Sequence, residues 1–410
     1  MPGDTAVAAE CYSQSAAPLS RGAATCHDPG MTAPVAARRG TNSHVHTNHS
    51  FSVFTSPAEA AEAAAAAGLE AIGINDFFTV SGFTEFRAAC SRLALPALYC
   101  CECISMDSAA EAAGELYNDP ANPGRIYLSA KGIARPDDPA GNAVLAEIRR
   151  HQDTRNRALV ERVGEHFKKT SGQTGPTWAE VVGQTPHGNT TERHVAKAIL
   201  ATIHRLTPGP AFADKYLQVV GEPAKPDAAQ QQIQIRNCLL KAGKPCYVPE
   251  DRAAFPTVER LRDAFLALGA IPTYPVLGNP LTACEKDISA LFDRLDRWGF
   301  RAIELISNRN TDDRVAAVVA ECARRSWPVC DGTEHNTPAM EPMLTKWVLD
   351  PRFAAAFRDG LAVNLGHQEL VGSGQTGYVN ARGAIVPGSL AACRSLGQRL
   401  LERSAAGMTA

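Results

Sequence analysis

The run Ser43-His44-Val45-His46-Thr47-Asn48-His49-Ser50, residues 43 to 50, places two histidines one residue apart. On a β-strand, side chains two positions apart project to the same face, so His44 and His46 can bind one metal ion together. A lone His-x-His pair also arises by accident on alternating strands, at the surface or in a core. The pair makes a metal-dependent enzyme the first hypothesis, to be weighed against residues further along the chain.

The composition is that of an ordinary globular protein. The chain has 410 residues, of which 45% are hydrophobic and 20% charged, enough for one large barrel or about two to three domains. A formal net charge of -2 gives no reason to expect a nucleic-acid or membrane surface as partner. No apolar run approaches the roughly 20 residues that span a bilayer, and the start lacks the order of a signal peptide. The expected location is cytoplasmic.

The chain contains 12 cysteines, and three of them, Cys100, Cys101 and Cys103, share one apolar segment. No second Cys-x-x-Cys unit accompanies them, so neither a disulfide framework nor a zinc ribbon is indicated. Buried, reduced thiols are the expected state.

Strand and helix signals divide the chain into four parts. Residues 1–40 are rich in Ala, Gly, Pro and Ser without periodicity, which predicts a disordered leader, and Met31 is a second candidate for the true start. Strands and helices alternate in 41–136, the first half of a barrel, and again in 251–410, its second half with C-terminal helices. The strand signals vanish in 137–250, which predicts a helical insertion that could act as a lid. Apolar strands with helices between them favour a parallel sheet or barrel, with function at the C-terminal strand ends.

Three motifs resemble those of the PHP family, the polymerase and histidinol phosphatase group of metal-dependent phosphoesterases. The His44-x-His46-Thr47 run resembles its opening motif, the segment Gly68 to Phe77 its Gly-x-x-x-Ile-x-x-Thr-Asp-His segment, and Glu102 its bridging glutamate. The run from Cys330 to His335 is similar to its closing Ser-Asp-x-His motif. The resemblance implies an α/β fold, a distorted (β/α)7 barrel here carrying a helical insertion, with metal ions at the C-terminal strand ends.

The chain also departs from the family pattern. Phe77 and Tyr274 stand where the family has histidines, and the histidine position of the fourth strand is Tyr127 or Ser129. A full three-metal cluster is therefore not expected. We expect one or two divalent ions, zinc, manganese or iron, since imidazole and carboxylate ligands suit these metals.

The expected metal ligands are three histidines and one glutamate, His44, His46, Glu102 and His335, with Asp76, Asp331 and Glu334 in reserve. Each has an ordinary structural alternative. Glu102 could be a salt-bridge partner, and His335 could cap a helix that begins near Asn336. Asp76 is either a ligand or a group that orients a ligating histidine.

A phosphate group requires positive charge or hydrogen-bond donors, so basic residues near strand ends and helix starts are candidates for substrate binding. These are Lys131 and Arg309, which follow predicted strands, and Arg193 and Lys197 on one face of a predicted helix that begins at a capping box from Asn189 to Glu192. Glu334 joins them as a substrate contact. For Arg193 and Lys197, a solvated helix face is the alternative reading.

Asp76, His194 and Tyr274 are the catalytic candidates. His187 and His194 lie within the insertion, where a lid could bring a general acid to the leaving group. The glycine-dense segment 371–377 lacks the Lys-Ser/Thr ending of a P-loop and the context of a dinucleotide-binding fingerprint, so a flexible connection is expected there.

The leading hypothesis is a metal-dependent hydrolase of the phosphoesterase class, in which activated water cleaves a phosphate ester of a small metabolite. Two alternatives stay open. The same metal could polarise a sugar or polyol, as in a lyase or isomerase, or the site could have decayed into a metal-stabilised binding protein. A small, phosphorylated substrate is the expected partner, without nucleic acid or membrane, and homo-oligomerisation is left open.

Overall fold

The apolar runs read from the sequence form the strands of a single sheet. We describe a computed structural model over residues 38–185, 188–278 and 280–405. These residues belong to one compact unit, Ala37–Ala410. The predicted disordered leader, 1–40, falls almost wholly on residues 1–37, outside the described part of the chain, as does the Met31 start.

The sheet has seven strands, and their order in space is their order along the chain. They are β1 (Thr41–Val45), β2 (Ala71–Phe77), β3 (Ala97–Met106), β4 (Arg125–Lys131), β5 (Ile271–Val276), β6 (Ile303–Leu305) and β7 (Val329–Asp331). Their residues are buried almost throughout, because helices cover the outside while polar and apolar side chains fill the inside.

One strand runs against the others. β4 pairs antiparallel with both β3 and β5, whereas the remaining neighbours pair in parallel. The register sets Lys131 opposite Cys100 and Ile271, near the starts of β3 and β5. The end of β4 therefore lies at the opposite rim from the other strand ends, which reasoning from an all-parallel barrel did not predict.

The sheet closes into a nearly complete barrel. Val45, the last residue of β1, and Glu334, in the segment that follows β7, form a parallel bridge. The backbone N–H of His46 donates to the carbonyl of Glu334 at 2.8 Å, and the N–H of Glu334 donates to the carbonyl of His44 at 2.9 Å. The barrel therefore joins at the His-x-His motif itself. The predicted seven-stranded α/β barrel is confirmed.

Fourteen α-helices lie within the described residues. Three precede the insertion, α1 (Pro57–Ala66), α2 (Phe83–Arg92) and α3 (Ser108–Ala112); five build it, α4 (Pro139–Ser171), α5 (Trp178–Val182), α6 (Glu192–Leu206), α7 (Phe212–Val220) and α8 (Ala228–Ile235). The others are α9 (Val258–Ala267), α10 (Ala283–Lys286), α11 (Ile288–Trp298), α12 (Asp312–Arg325), α13 (Ala354–Gly372) and α14 (Ser389–Ala405). Within the described residues, none of the helices combines the length and apolarity needed to cross a membrane.

Local sequence signals explain many helix ends. Ser56 caps α1 by accepting from the backbone N–H of Glu59 at 3.0 Å, and Pro57 occupies the first helical position. The start of α6 differs from the predicted capping box: Thr191 is the N-cap residue, and its backbone N–H donates to Nδ1 of His194 at 3.0 Å.

The helix α4 contributes side chains to two separate hydrophobic cores. Val144, Leu145 and Ile148 in its first half pack into the barrel core, whereas Leu159 and Phe167 in its second half belong to the core of the insertion. With 33 residues, this helix is about 50 Å long at 1.5 Å per residue. The helix therefore links the barrel to the insertion and belongs to both cores.

Candidate metal centre

Three side chains from the first and third strands of the barrel converge on one point. His44 lies near the end of β1, His46 directly follows that strand, and Glu102 lies in the middle of β3. The separations are 3.0 Å between the two Nε2 atoms, 3.5 Å from His44 Nε2 to Glu102 Oε2, and 3.2 Å from His46 Nε2 to the same oxygen. All three residues are buried, and among the described residues they form the one group of this kind with metal-ligand spacing.

The ring nitrogen of His44 that faces away from Glu102, Nδ1, is hydrogen-bonded to a carboxylate. Nδ1 of His44 lies 2.8 Å from Oε2 of Glu304, a fully buried glutamate on β6. Since a carboxylate accepts, Nδ1 of His44 carries a proton towards Glu304, and in the neutral ring the lone pair of Nε2 faces Glu102. Carboxylate–histidine pairs of this kind fix the ring orientation of metal ligands and raise their basicity.

His46 is oriented by a longer relay. Its Nδ1 lies 3.0 Å from the hydroxyl of Ser50, which donates to Oδ1 of Asp76 at 2.6 Å. Asp76 also accepts from the backbone N–H and the hydroxyl of Thr47, at 2.7 and 2.6 Å. Because the Ser50 proton is used on Asp76, Nδ1 of His46 must donate, and its Nε2 likewise presents a lone pair. Asp76 thus orients His46 through Ser50.

The sheet places Lys131 in the interior, next to the candidate metal site, and not at the cavity that opens on that site. Its side chain is fully buried, and its ammonium donates to Glu304 and, at 2.9 Å, to the carbonyl of Ser43. Burial lowers the pKa of Lys131, but neighbours including Glu304 outweigh it and hold that pKa above its usual value. Lys131 therefore contacts the carboxylate that holds His44 and does not line the cavity described below.

The electrostatics of the cluster favour a cation at its centre. Burial raises the pKa of Glu102, but His44 and His46 outweigh it and hold that pKa below its usual value. Burial lowers the pKa of His44, and Glu304 and Glu102 raise it to about 9. The buried groups linked to the two imidazoles are three carboxylates, Glu102, Glu304 and Asp76, against the single ammonium of Lys131, so this excess of negative charge favours either a proton on His44 or a bound cation.

The donor geometry fits a single ion. Ligand distances of about 2.1 Å at angles of roughly 90° to 110° place donor atoms about 3.0 to 3.5 Å apart, which is the range spanned by the three observed separations. Oε2 of Glu102 is buried and has no hydrogen-bond partner in the described residues. Two imidazoles and one carboxylate form a donor set found at catalytic zinc sites, which keep a further position open.

His335 lies nearby but outside the three-donor cluster. Its Nδ1 is 2.7 Å from the hydroxyl of Thr333, and its Nε2 is 2.9 Å from the carbonyl of Glu341, so both ring nitrogens have partners within the loop. Glu334 and His335 both adopt positive φ, 68° and 55°. Such backbone costs on the order of 1–3 kcal/mol per residue and concentrates at functional sites. Asp331 also lies outside the cluster, and its Oδ2 accepts from Thr345 at 2.7 Å.

Two catalytic candidates occupy other surroundings. The hydroxyl of Tyr274 donates to Glu285 at 3.1 Å, on the face of β5 that packs against the helices. His194 uses Nδ1 as the cap of α6, and burial lowers its pKa to about 3, so its ring is neutral. His187, proposed with it as part of a lid, lies outside the described residues.

A cavity of about 450 Å³ opens on the donor cluster through Glu102. The barrel contributes Phe77, Arg309 and Glu334 to its lining, and the insertion contributes Arg193 among other residues. Arg309 forms an ion pair with Glu334, whose carboxylate raises the pKa of that guanidinium against the opposing effect of burial. Lys197 is exposed on α6 and does not line the cavity.

The insertion is attached to the loop that carries the histidines. The backbone N–H of Asn189 donates to the carbonyl of His49 at 2.8 Å, and the hydroxyl of Thr185 donates to the carbonyl of Asn48 at 2.9 Å. A Cβ atom at Gly188 would lie 1.9 Å from that same His49 oxygen, so only glycine permits this approach. The insertion thus forms one wall of the cavity.

Sequence reasoning missed Glu304 and Ser50. Glu304 is the one charged residue in a strand that otherwise reads Ala-Ile-Leu-Ile over 302–306, and that isolation is a signal of a functional carboxylate in a buried strand. Ser50 gave no comparable signal, because its role depends on the turn that returns the chain to His46.

The fold and the site define an α/β barrel with a candidate metal centre at its strand ends, and two solved structures resemble it. One, from Bifidobacterium adolescentis, is described as a presumptive metal-dependent phosphoesterase; it is 19% identical, has a TM-score of 0.52, and the match covers 78% of this chain and 96% of that one. The other, an amidohydrolase from Chromobacterium violaceum with bound sulfate and no metal, is 17% identical with a TM-score of 0.51, covering 74% and 92%.

Neither a protein-family model nor a curated protein matches the chain. At these identities, the two structural matches show a common barrel fold. The chemistry must therefore be argued from the residues of this chain.

Proposed function

We propose that this protein is a metal-dependent hydrolase that cleaves a phosphate ester of a small metabolite. The observation that carries the proposal is the buried triangle of His44 Nε2, His46 Nε2 and Glu102 Oε2, which opens on a cavity that Arg309 also lines. The barrel shared with proteins described as a metal-dependent phosphoesterase and as an amidohydrolase, the latter with bound sulfate, agrees with this assignment.

Each residue of the site then has a distinct task. His44, His46 and Glu102 would hold one divalent ion, which when bound supplies Lewis acidity and a water molecule of lowered pKa. Glu304 and the Ser50–Asp76 pair keep the two imidazoles in the tautomer that binds a cation. Arg309 and Glu334 lie beside His46, where the guanidinium can donate to a phosphate oxygen.

The lyase or isomerase alternative rests on Tyr274 and on the absence of the family's other histidines. The hydroxyl of Tyr274 is bound to Glu285 on the helical side of β5, so this alternative now depends on the missing histidines. A decayed binding protein would still bind the ion and would release no phosphate, so the assay below separates it from an enzyme.

The test combines metal analysis with a substrate screen. Purified protein is analysed for bound zinc, manganese and iron, and phosphate release is then measured with each metal over sugar phosphates, nucleotides and other phosphomonoesters. We expect about one ion per chain and metal-dependent turnover of at least one class. An absence of bound metal, together with no effect of added manganese or zinc on the melting temperature, would overturn the proposal.

A pair of variants ties the result to the three donors. His44→Ala should weaken metal binding more than about 100-fold and abolish turnover, because one of only three protein ligands is lost. His204→Ala is the matched control, since His204 is exposed on α6 and stacks on Phe212 with ring centroids 4.2 Å apart. If His44→Ala retained both its metal and its activity, the site assignment would be wrong.

A further inference from the structure

The cavity beside the candidate metal centre has a strongly cationic wall that the proposed chemistry does not use. Four basic side chains of the insertion line it: Arg155 from α4, Arg193 from the first turn of α6, and Arg236 and Lys241 from the segment after α8. None of them comes from the barrel, which supplies the metal donors. The barrel therefore lines the cavity with the candidate metal ligand Glu102, whereas the insertion lines it with these four basic side chains.

One carboxylate, that of Glu192, forms ion pairs with three of these four basic side chains. Glu192 lies 3.2 Å from Arg155, 3.1 Å from Arg236 and 3.1 Å from Lys241. Arg193 contacts the ring of Phe51, with its guanidinium carbon 5.7 Å from the ring centroid, and within the described residues no oxygen accepts a hydrogen bond from it. Among the described residues, the insertion thus lines the cavity with four basic side chains and two carboxylates, Glu192 and Glu250, and Glu250 pairs with Arg125 of the barrel.

Cationic side chains elsewhere in the cavity are neutralised. Arg125 pairs with Asp119 at 2.9 Å and with Glu250, and Arg309 pairs with Glu334. The excess positive charge is therefore confined to the insertion wall. It is not a general property of the cavity.

The crowding of like charges in this wall is unfavourable without an anion. Burial and the neighbouring Arg236 lower the pKa of Arg193 to about 9, and the same two causes lower that of Lys241. Arg236 also begins a π-helical turn, Arg236–Leu240, which interrupts the continuation of α8. Such turns are rare and often occur at functional sites.

We infer that the insertion wall binds a second anionic group of the substrate, a phosphate or carboxylate other than the phosphate ester that is cleaved. Arg193 and Lys241 donate to that group, while Glu192 holds Arg155 and Arg236 in place. The inference rests on the proposed function for the first anionic group. It names the substrate class as small metabolites with two anionic groups.

Matched substrate pairs test this assignment with the metal-loaded enzyme. One pair differs by a carboxylate, 3-phosphoglycerate against glycerol 3-phosphate, and the other by a phosphate, fructose 1,6-bisphosphate against fructose 6-phosphate. In at least one pair, we expect kcat/KM to be about 10-fold or more higher for the doubly anionic member, mainly through KM, since a charge-assisted hydrogen bond contributes about this factor. Which pair shows it distinguishes carboxylate from phosphate.

Substitutions in the insertion wall should remove the preference for the doubly anionic substrate and leave kcat/KM for the singly anionic substrate nearly unchanged. Arg193→Gln and Lys241→Gln should lower kcat/KM for the doubly anionic substrate about 10-fold while changing that of its singly anionic partner less than about twofold. Within the part of the chain that the structure describes, Arg193 has no hydrogen-bonded partner to lose, and Lys241 is about half exposed, so both variants should fold. Arg205→Gln, exposed near the end of α6, is the control. Equal rates within both pairs, or equal losses for both members, would overturn the inference.

A binding measurement separates the two proposals. Isothermal titration of the wild-type protein with the same four compounds should show tighter binding of a doubly anionic compound, and Arg193→Gln should abolish the difference. If no phosphate is released but this pattern appears, the anion site stands and the hydrolase proposal fails. If phosphate is released but each pair binds equally, the anion site fails and the hydrolase proposal stands.

Discussion

A chain of buried charges surrounds the candidate ligands at the residue scale. Lys131 donates to Glu304, Glu304 accepts from His44, and the hydroxyl of Ser43 donates to the same glutamate at 2.9 Å. Buried ion pairs of this kind add little net stability, but removing one partner leaves an uncompensated charge in the interior. Glu304 therefore supports both the fold and the orientation of His44.

The double role of Glu304 can be separated by mutation. Glu304→Gln should lower the free energy of unfolding by about 3–5 kcal/mol, because the Lys131 ammonium is left buried without its counter-charge. It should also weaken metal binding about 10–100-fold, because His44 loses the carboxylate that fixes its tautomer. Urea unfolding and metal titration measure the two effects.

The double variant Lys131→Met/Glu304→Gln serves as the control. It removes both buried charges, so it should regain much of the lost stability while its metal affinity stays low. Unchanged metal affinity in either variant would show that Glu304 does not orient His44.

The buried histidine His367, which lies outside the candidate metal centre, makes the free energy of unfolding depend on pH. Nε2 of His367 donates to the carbonyl of Gly269 at 3.0 Å, and its Nδ1 accepts from the N–H of Tyr378 at 2.9 Å. The bond from Tyr378 requires an unprotonated Nδ1 and hence the neutral ring, and burial lowers the pKa of His367 to about 4. Below pH 6.5 this histidine is therefore protonated in the unfolded chain, whereas in the folded chain it stays neutral down to about pH 4.

We predict that the free energy of unfolding falls as the pH drops from about 6.5 towards 4, with His367 contributing on the order of 3 kcal/mol. His194 acts in the same direction, since its pKa is also lowered by burial. Urea unfolding at pH 7 and 4.5 measures the decline. His367→Gln should show a shallower decline, whereas exposed His204→Gln should match the wild type; identical slopes in all three proteins would contradict this account.

Helix and strand positions were largely predictable at the scale of elements. The run Ser56-Pro57-Ala58-Glu59 has an N-cap, a proline at the first helical position and a glutamate three residues after the cap, which predicts the observed start of α1. The pattern over Asp312 to Arg325 predicts a helix with the observed range of α12. These elements are fixed by caps and apolar periodicity, which are local properties. The direction of β4 was not predictable, because either orientation buries the same side chains and only its neighbours decide between them.

Close packing of the last two helices depends on glycines. A Cβ atom at Gly397 of α14 would lie 1.9 Å from the carbonyl oxygen of Ala362 on α13, and one at Gly366 would lie equally close to that of Cys393. Because the obstructing atoms belong to the backbone, the helices must separate to accept a methyl group.

Gly397→Ala should therefore lower the free energy of unfolding by about 1–3 kcal/mol or more, as expected for overpacking. Gly164→Ala is the matched control: this glycine is also helical, in α4, but nothing lies within 4 Å of its added Cβ. It should be neutral or raise stability by up to about 1 kcal/mol, since alanine favours the helix. Denaturant unfolding of both variants checks the difference, and equal effects would refute the packing argument.

At the scale of the whole molecule, the candidate metal centre lies next to the seam that closes the barrel sheet. His44 and His46 lie at the seam where β1 meets the segment after β7, and Glu102 lies on β3. A ligand that binds only the folded chain stabilises it by about 2.7 kcal/mol at 100 times its Kd. Metal binding should therefore stabilise the entire barrel.

We expect added zinc or manganese at about 100 times Kd to raise the melting temperature by several degrees, at roughly 2–4 °C per kcal/mol, and EDTA to reverse the rise. Differential scanning calorimetry measures the shift. The His44→Ala/His46→Ala variant should show no shift, and a shift as large as that of the wild type would mean that the ion binds elsewhere.

The sequence by itself determined the alternation of strands and helices, the helical insertion and the positions of the His44-x-His46 pair and Glu102, because periodicity, caps and motif spacing are local. The tertiary structure alone brought Glu304 to His44 across 260 residues and placed Lys131 beneath the site. It also gathered four cations of the insertion beside the barrel donors. Contacts between distant segments follow from strand direction, register and close packing, and no local pattern of residues encodes them.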